Sequence, residues 1–289
     1  MAATARPRRS ALYMPGSNPR ALEKARALPA DVLLLDLEDA VAPAAKEEAR
    51  ELVVEAVARG GYGRREVVIR VNVLDSSWGE ADLRAAARSG ADAVLLPKVE
   101  SGEAVREAEA RLASAGAPGS QAIWAMIETP RGVLRAAEVA ASTPRLACLV
   151  VGTSDLVKDL HARHTALRLE VLASLSLTLL AARAHGLAAL DGVHLDLSDD
   201  AGFEASCRQG AELGFDGKTL IHPRTIAAAN RFFAPGAERV EEARRIVAAH
   251  AEAQSRGLGV VVVEGRLVEA LHVQEARRIL ALAEAIALG

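Results

Sequence analysis

Several apolar runs in this chain close on charged residues. VLLLDLED (32–39) closes on Asp36, Glu38 and Asp39, EVVIRVN (66–72) on Arg70 and Asn72, and AVLLPKV (93–99) on Lys98 with Glu100 beyond it. AIWAMIET (122–129) closes on Glu128, and LACLVVGT (146–153) runs into Ser154 and Asp155. GVHLDL (192–197) carries Asp196, and GFDGKTLIHP (214–223) carries Lys218 and His222. One charge at the end of a run is unremarkable. Carboxylates, an arginine and lysines at most of the ends call for an explanation, because a charge near a core needs a partner or a metal. Glu128 and Asp155 could together hold one hard divalent cation. With no His or Cys cluster beside them, oxygen donors favour Mg2+ over Zn2+. Mg2+ keeps open positions that a substrate carboxylate and a hydroxyl or carbonyl could occupy. Arg70 suits a bidentate grip on a carboxylate, or charge developing on oxygen. Spacing alone also allows Arg70, Glu128 and Asp155 to be an ion-pair network with no ligand.

These residues must be positioned by the elements that end on them. Counting ALYMPG (11–16), the runs number eight, each four to eight residues long or slightly more and continuous rather than alternating. Such runs fit strands buried on both faces of a parallel sheet. Between them lie Ala/Arg/Glu-rich segments such as KEEARELVVEAVA and EAVREAEARLASA, whose apolar residues recur at helical spacing. Eight β/α units in residues 1–234 predict a (β/α)8 TIM barrel, with a doubly wound open sheet as the alternative. A barrel of this kind carries its reactive groups at the C-terminal ends of the strands, where the charged residues lie. Residues 235–289 change pattern: a helix, a short strand pair turning near Glu264 and Gly265, and a last helix. This tail is too small for its own core and reads as a cap or oligomerisation extension.

Composition narrows the function classes. The chain has 289 residues, 51% hydrophobic and 25% charged, with a formal charge of −3. That suits a globular protein with a large core, and no basic excess points to nucleic acid. No apolar stretch is long enough for a membrane span, and MAATARPRRS lacks the apolar region of a secretory signal. Two cysteines, Cys148 and Cys207, form no disulfide framework, and Cys148 in LACLVV reads as a buried thiol; both suit a cytoplasmic setting. GSNPR lacks the full glycine-rich phosphate pattern, so nicotinamide and P-loop chemistry are disfavoured. His161 and His164 have no third ligand at a metal spacing, and Trp78 and Trp124 read as packing residues. Lysine accounts for only 5 of the 35 basic residues, so each remaining lysine stands where a compact ammonium could matter. Lys98, at the end of its run, is the Schiff-base nucleophile of a competing class I aldolase reading.

Seven motifs then carry a resemblance: YMPGSNPRALEKA, LLLDLEDAVAPAAKEEAR, VIRVN, VLLPKVES, MIETPRGV, VVGTSDL and FDGKTLIHPRTI. Together, and in this order over residues 9–234, they resemble the citrate lyase beta-subunit (CitE-like) family, which is grouped with malyl-CoA and citramalyl-CoA lyases in the HpcH/HpaI aldolase superfamily. The resemblance implies a trimeric or hexameric barrel that uses Mg2+ to make or break a carbon–carbon bond in a β-hydroxyacyl coenzyme A thioester, giving acetyl-CoA and a 2-oxo acid. By motif it implies Glu128 and Asp155 as metal ligands, Arg70 as the residue gripping substrate, and Tyr13, Arg20, Lys24 and Lys46 as contacts to coenzyme A or the acyl part. Asp196 matches a further substrate-binding position, as does Glu128. The family's catalytic aspartate stands in a motif like M-I-D-x-P before the last helix. Here the stretch is LVEAL, so Glu269 takes that place, one methylene longer, with Leu271 where proline is expected. That departure also admits a weakly active or non-catalytic acyl-CoA-binding subunit.

Overall fold

The computed structural model describes residues 6–257 and 260–288. The chain divides into two compact units, Arg8–Phe233 and a second made of Met1–Pro7 with Ala234–Gly289.

The first unit is a closed barrel of eight parallel strands in sequence order. They are β1 (Ser10–Pro15), β2 (Val32–Asp36), β3 (Glu66–Arg70), β4 (Ala93–Leu96), β5 (Ala122–Ile127), β6 (Leu146–Val151), β7 (Ala188–Asp191) and β8 (Gly217–Leu220). The helices between them are α1 (Pro19–Ala25), α2 (Lys46–Arg59), α3 (Gly79–Ser89), α4 (Gly102–Ser114), α5 (Pro130–Leu134), α6 (Ala136–Ala140), α7 (Thr153–Asp159), α8 (Leu169–Ala184), α9 (Asp200–Leu213) and α10 (Ile226–Phe232). Local chemistry starts several of them. Asn18 precedes Pro19 and accepts from the Ala21 N–H, Ser101 accepts from Ala104, and Asp199 accepts from Gly202.

The continuous apolar runs follow from burial on both faces. One face of each strand fills the barrel, with Val32, Leu34, Val68, Leu95, Trp124, Met126 and Val150 among the interior residues. The other face, including Leu33, Leu35, Ile69, Val94 and Ile127, packs under the helices. Trp124 fills the most volume inside, beside the small Ala11 and Ala93. The Arg8 guanidinium, paired with Glu66 at 2.6 Å, lies 5.0 Å above its ring. Cys148 is buried in the interior, and both cysteines are free thiols.

β7 departs from the sequence reading. The strand is Ala188–Asp191, and 192–197 is loop. LAALD is rich in a good helix former, but its pairing with β6 (Cys148↔Ala188, Val150↔Leu190) makes it a strand. The strand therefore ends on Asp191 rather than Asp196. Asp191 is fully buried and accepts from Lys218 Nζ at 2.8 Å and from Arg168 Nη1 at 2.9 Å. Lys218 is thus committed to a buried pair, not to a ligand. The two cations outweigh burial and hold the Asp191 carboxyl below the usual carboxylate range.

In the second unit, α11 (Ala237–Ser255) and α12 (Ala270–Ala287) pack through Ala243, Ala276 and Ile279. Between them β9 (Val261–Val263) and β10 (Arg266–Val268) form an antiparallel pair turning through Glu264 and Gly265, both at positive φ. Among the described residues no helix is long and apolar enough to cross a membrane.

Removing Asp191 would strand the buried Lys218 and the half-buried Arg168. Asp191→Ala should cost on the order of 3–5 kcal/mol in denaturant unfolding; a loss below about 1 kcal/mol would show that the pair is not holding β7 and β8.

Candidate active site

The site forms where the interior rows of the barrel change from apolar to charged. Side chains alternate along a strand, so positions two apart share a face. The row Val32, Leu34 continues to Asp36, Val68 continues to Arg70, and Trp124, Met126 continues to Glu128. Register keeps these ends level, since Asp36 pairs with Arg70 across β2 and β3. A cavity of about 330 Å³ opens here, lined by Tyr13, Asp36, Asp39, Arg70, Glu128, Thr153 and Asp155, with Met126, Val193, Leu195 and Ile221 as its apolar side.

Arg70 is held from several directions. Asp36 grips it as a fork, with Nε to Oδ1 and Nη2 to Oδ2 both at 2.7 Å. Glu38 Oε2 lies 2.8 Å from Nη1 and Asp39 Oδ2 lies 3.3 Å from it. The Tyr13 ring lies 4.7 Å below the guanidinium, and the Tyr13 hydroxyl donates to Met126 Sδ at 3.6 Å. Burial alone would lower the guanidinium pKa, but Tyr13, Asp36 and Glu38 hold it well above the usual value. Burial raises both Glu38 and Tyr13 against the pull of Arg70. The two members of the Arg70–Glu38 contact thus both move up. The arginine stays charged, so the carboxylate is the member that desolvation disturbs.

Glu128 is placed differently. It is 2% exposed, and among the described residues no ion pair is made to it; the Lys98 N–H donates to its Oε1 at 2.7 Å. Its carboxyl is pushed up to about 7, first by burial and then by the neighbouring charges of Glu38 and Asp155. Gly152 makes room for it: a Cβ there would lie 2.4 Å from Glu128 Oε2. Asp155 stands in the first turn of α7, at the same cavity, and among the described residues its ion pair is to Lys158 at 3.7 Å. Arg70 therefore pairs with Asp36, Glu38 and Asp39 and not with Glu128 or Asp155, which removes the ligand-free network as the explanation of the three residues. Two hard carboxylates on one cavity, short of a counter-charge, fit a divalent cation that completes its shell with waters and substrate oxygens. Among the described residues no cluster of three or more His, Cys, Asp or Glu offers a closed, all-protein site.

Comparison with known proteins identifies the family. Residues 9–223 match the model of the HpcH/HpaI aldolase/citrate lyase family. The chain belongs to that family. A (3S)-malyl-CoA thioesterase of Cereibacter sphaeroides is 50% identical over 287 residues, covering 99% of this chain and 98% of the relative. The citrate lyase subunit beta of Escherichia coli is 39% identical over 284 residues, covering 96% and 94%. A crystal structure of CitE from Mycobacterium tuberculosis, in complex with magnesium, acetoacetate and coenzyme A, superposes with a TM-score of 0.74 at 32% identity over 97% of this chain and 98% of that one.

Within this HpcH/HpaI member the expected residues fall into groups. Tyr13, Arg70, Glu128 and Asp155 come together on the cavity. Arg20 and Lys24 are exposed, one turn apart on α1, with no ion pair among the described residues. Lys46 is buried, and its Nζ donates to the Leu37 and Glu38 carbonyls and to Asn72 Oδ1 at 2.7–2.8 Å. All three of its protons are committed within the protein, so it braces the end of β2 rather than offering a cation to a phosphate. Asp196 is exposed, does not line the cavity, and closes a turn onto Ser198 Oγ at 2.6 Å. Glu269 belongs to the second unit, where it is exposed at the start of α12 and its N–H donates to His272 Nδ1. Lys98 pairs with Glu38 at 3.2 Å; burial works against its charge, but Glu38 and then Asp155 and Glu128 raise its pKa, the wrong direction for a Schiff-base nucleophile.

Sequence reasoning assigned no role to Asp36, Glu38 or Thr153. The acidic run LDLED signalled the first two. The Thr153 hydroxyl is buried on the cavity without a protein hydrogen-bond partner, and no pattern in the sequence marks it.

A raised Glu128 pKa predicts a pH signature in metal-free buffer. The folded state binds more protons than the unfolded one between the ordinary value and about 7, so the stability contributed by protonation fades as pH rises through that window. Glu128→Gln, which mimics the protonated side chain, should gain in Tm relative to the parent at pH 8 compared with pH 5; equal differences at both pH values would contradict the placement.

Proposed function

We propose that this chain is a Mg2+-dependent carbon–carbon lyase that cleaves, or forms, a β-hydroxyacyl-CoA thioester of the malyl, citramalyl or citryl type, giving acetyl-CoA and a 2-oxo acid. The observation that carries this reading is the buried Glu128, short of a counter-charge beside Asp155 and facing an arginine already neutralised by other carboxylates. The relatives support it, since citrate lyase subunit beta and CitE with magnesium and coenzyme A share nearly the whole chain.

Glu128 and Asp155 would hold the metal. When bound, Mg2+ supplies charge neutralisation and polarisation of a substrate oxygen. The chain's own residues do the rest. Asp36 takes two of the five N–H groups of Arg70 and sets the plane of the guanidinium, leaving others for a substrate carboxylate or for the oxygen that becomes a ketone. Asp39, largely exposed, is the partner that a substrate carboxylate would displace. Tyr13 and Met126 keep that oxygen against an apolar wall, and Val193, Leu195 and Ile221 offer a face to the acyl carbons. Arg20 and Lys24 are cations available to the phosphates of coenzyme A. Cleavage sends the carbon–carbon electron pair to the carbon α to the thioester carbonyl, and the hydroxyl proton, in net, ends on that same carbon as the methyl of acetyl-CoA. Glu269 is the carboxyl that the family resemblance assigns to that proton.

The same reading takes the enzyme as a cytoplasmic homotrimer or hexamer, with residues 235–289 as its cap or assembly extension. The exposed Val262, Leu267 and Leu271 in that unit support an assembly role. A second reading, hydrolysis of the thioester, is favoured by the 50% identity to (3S)-malyl-CoA thioesterase. It keeps the metal and Arg70 and differs in which bond breaks.

Incubation of the purified protein with malyl-, citramalyl- and citryl-CoA decides between them. The lyase yields acetyl-CoA and a 2-oxo acid, whereas the hydrolase yields free coenzyme A and the intact hydroxy acid. Either activity should vanish in excess EDTA and fall by about 100-fold or more in Glu128→Gln and Arg70→Ala. Full turnover in EDTA rejects both readings. Glu269→Gln checks the proton-transfer assignment separately, with about a 100-fold loss expected in kcat.

A further inference from the structure

Lys98 is one of four non-glycine residues at positive φ among those described, at φ 50°. An L-residue adopts this left-handed conformation at a cost, and such costs persist where the surroundings impose them, often at functional sites. Two contacts follow from the conformation. The Lys98 N–H is aimed at Glu128 Oε1, 2.7 Å away, and the side chain turns to place Nζ 3.2 Å from Glu38 Oε1. The second oxygen of Glu38 lies 2.8 Å from Arg70 Nη1. One residue therefore connects the two halves of the site, through its backbone to the carboxylate that would hold the metal and through its ammonium and Glu38 to the guanidinium. Pro97 and Val99 flank it, and the Val99 N–H continues the β5 ladder to the Met126 carbonyl at 3.1 Å, so the backbone on its far side is fixed as well.

We propose that Lys98 is a positioning residue that holds Arg70 in register with Glu128. Its backbone orients the carboxylate, and its ammonium fixes Glu38, whose other oxygen makes an ion contact with Nη1 of the guanidinium that Asp36 grips on its other edge. The inference rests on the reading of Glu128 as a magnesium ligand and Arg70 as the grip on substrate. The two arms are separable, because a side-chain substitution removes the ammonium and keeps the N–H. Glu38 and the Lys98 ammonium then act as one unit on Arg70, while the Lys98 N–H holds the Glu128 carboxylate whatever the side chain.

A double-mutant cycle tests this with Lys98→Met, Glu38→Gln and the pair, in the full chain. Mg2+ affinity is measured by calorimetry without substrate, pyruvate affinity in saturating Mg2+, and kcat and KM on the active thioester. Lys98→Met should not weaken Mg2+ binding, because the N–H on Glu128 remains and a positive charge near Glu128 and Asp155 is lost. It should weaken pyruvate binding and lower kcat by about 10- to 100-fold, the cost of a guanidinium displaced by on the order of 1 Å. The double variant should lose no more than the worse single one, as expected for residues acting through one contact. Parental kcat and pyruvate affinity in Lys98→Met, losses that multiply in the double variant, or a collapse of Mg2+ affinity would each overturn the proposal. If Lys98→Met does not fold, Lys98→Gln serves the same cycle. If the parent turns over no thioester, the lyase reading fails, and the pyruvate cycle still decides the role of Lys98.

Discussion

A carboxylate buried without a counter-cation is expensive, and Glu128 is such a group at the mouth of this barrel. Much of the nearby structure follows from accommodating it. Gly152 has no side chain because a Cβ would strike the carboxylate. Lys98 takes a left-handed backbone to give it an N–H. Arg70, whose charge acts on Glu128, is engaged by Asp36, Glu38 and Asp39 instead of closing on it. The fold keeps the anion and withholds the cation, which leaves Glu128 and Asp155 suited to a charge that arrives from solution. A pair chosen for stability alone would have been joined or replaced by apolar residues.

Most of the site was legible in the sequence because the physics that builds the barrel also writes it. Interior positions alternate along a strand, so a charged residue two places after Leu34, Val68 or Met126 must stand at the interior's end. In the sequence Asp36, Arg70 and Glu128 were visible only as charges closing continuous apolar runs; the strand register shows that they share the interior face. What was not legible has a common cause, which is partner choice. Asp196 and Asp191 are both acids near one another in sequence; only strand pairing shows that Asp191 ends β7 and faces Lys218 and Arg168, while Asp196 closes a surface turn. Lys46 and Lys24 looked alike as free cations, and only the fold shows that Asn72 and two carbonyls consume one of them. Glu38 belonged to an acidic run whose members could not be ranked. Its value as the link between Lys98 and Arg70 depends on three strands meeting in register.

The family membership and the geometry support each other at different levels. Relatives that share nearly the whole chain include both a malyl-CoA thioesterase and a citrate lyase subunit, so likeness alone points to the thioester and leaves the bond to be broken open. The barrel supplies what both chemistries need: two hard oxygen donors, a neutralised but partly available guanidinium, and an apolar wall. The two outcomes differ in the bond that breaks, carbon–carbon in one and carbon–sulfur in the other.

The central claim is that a divalent cation replaces a proton on Glu128. Calorimetric titration with Mg2+ at pH 6 and pH 8, in buffers of different ionisation enthalpy, measures this directly. With a carboxyl pushed up to about 7, binding should release close to one proton at pH 6 and almost none at pH 8, and Glu128→Gln should abolish the release. Proton release that is equal at both pH values, or Mg2+ binding of parental affinity in Glu128→Gln, would contradict the account.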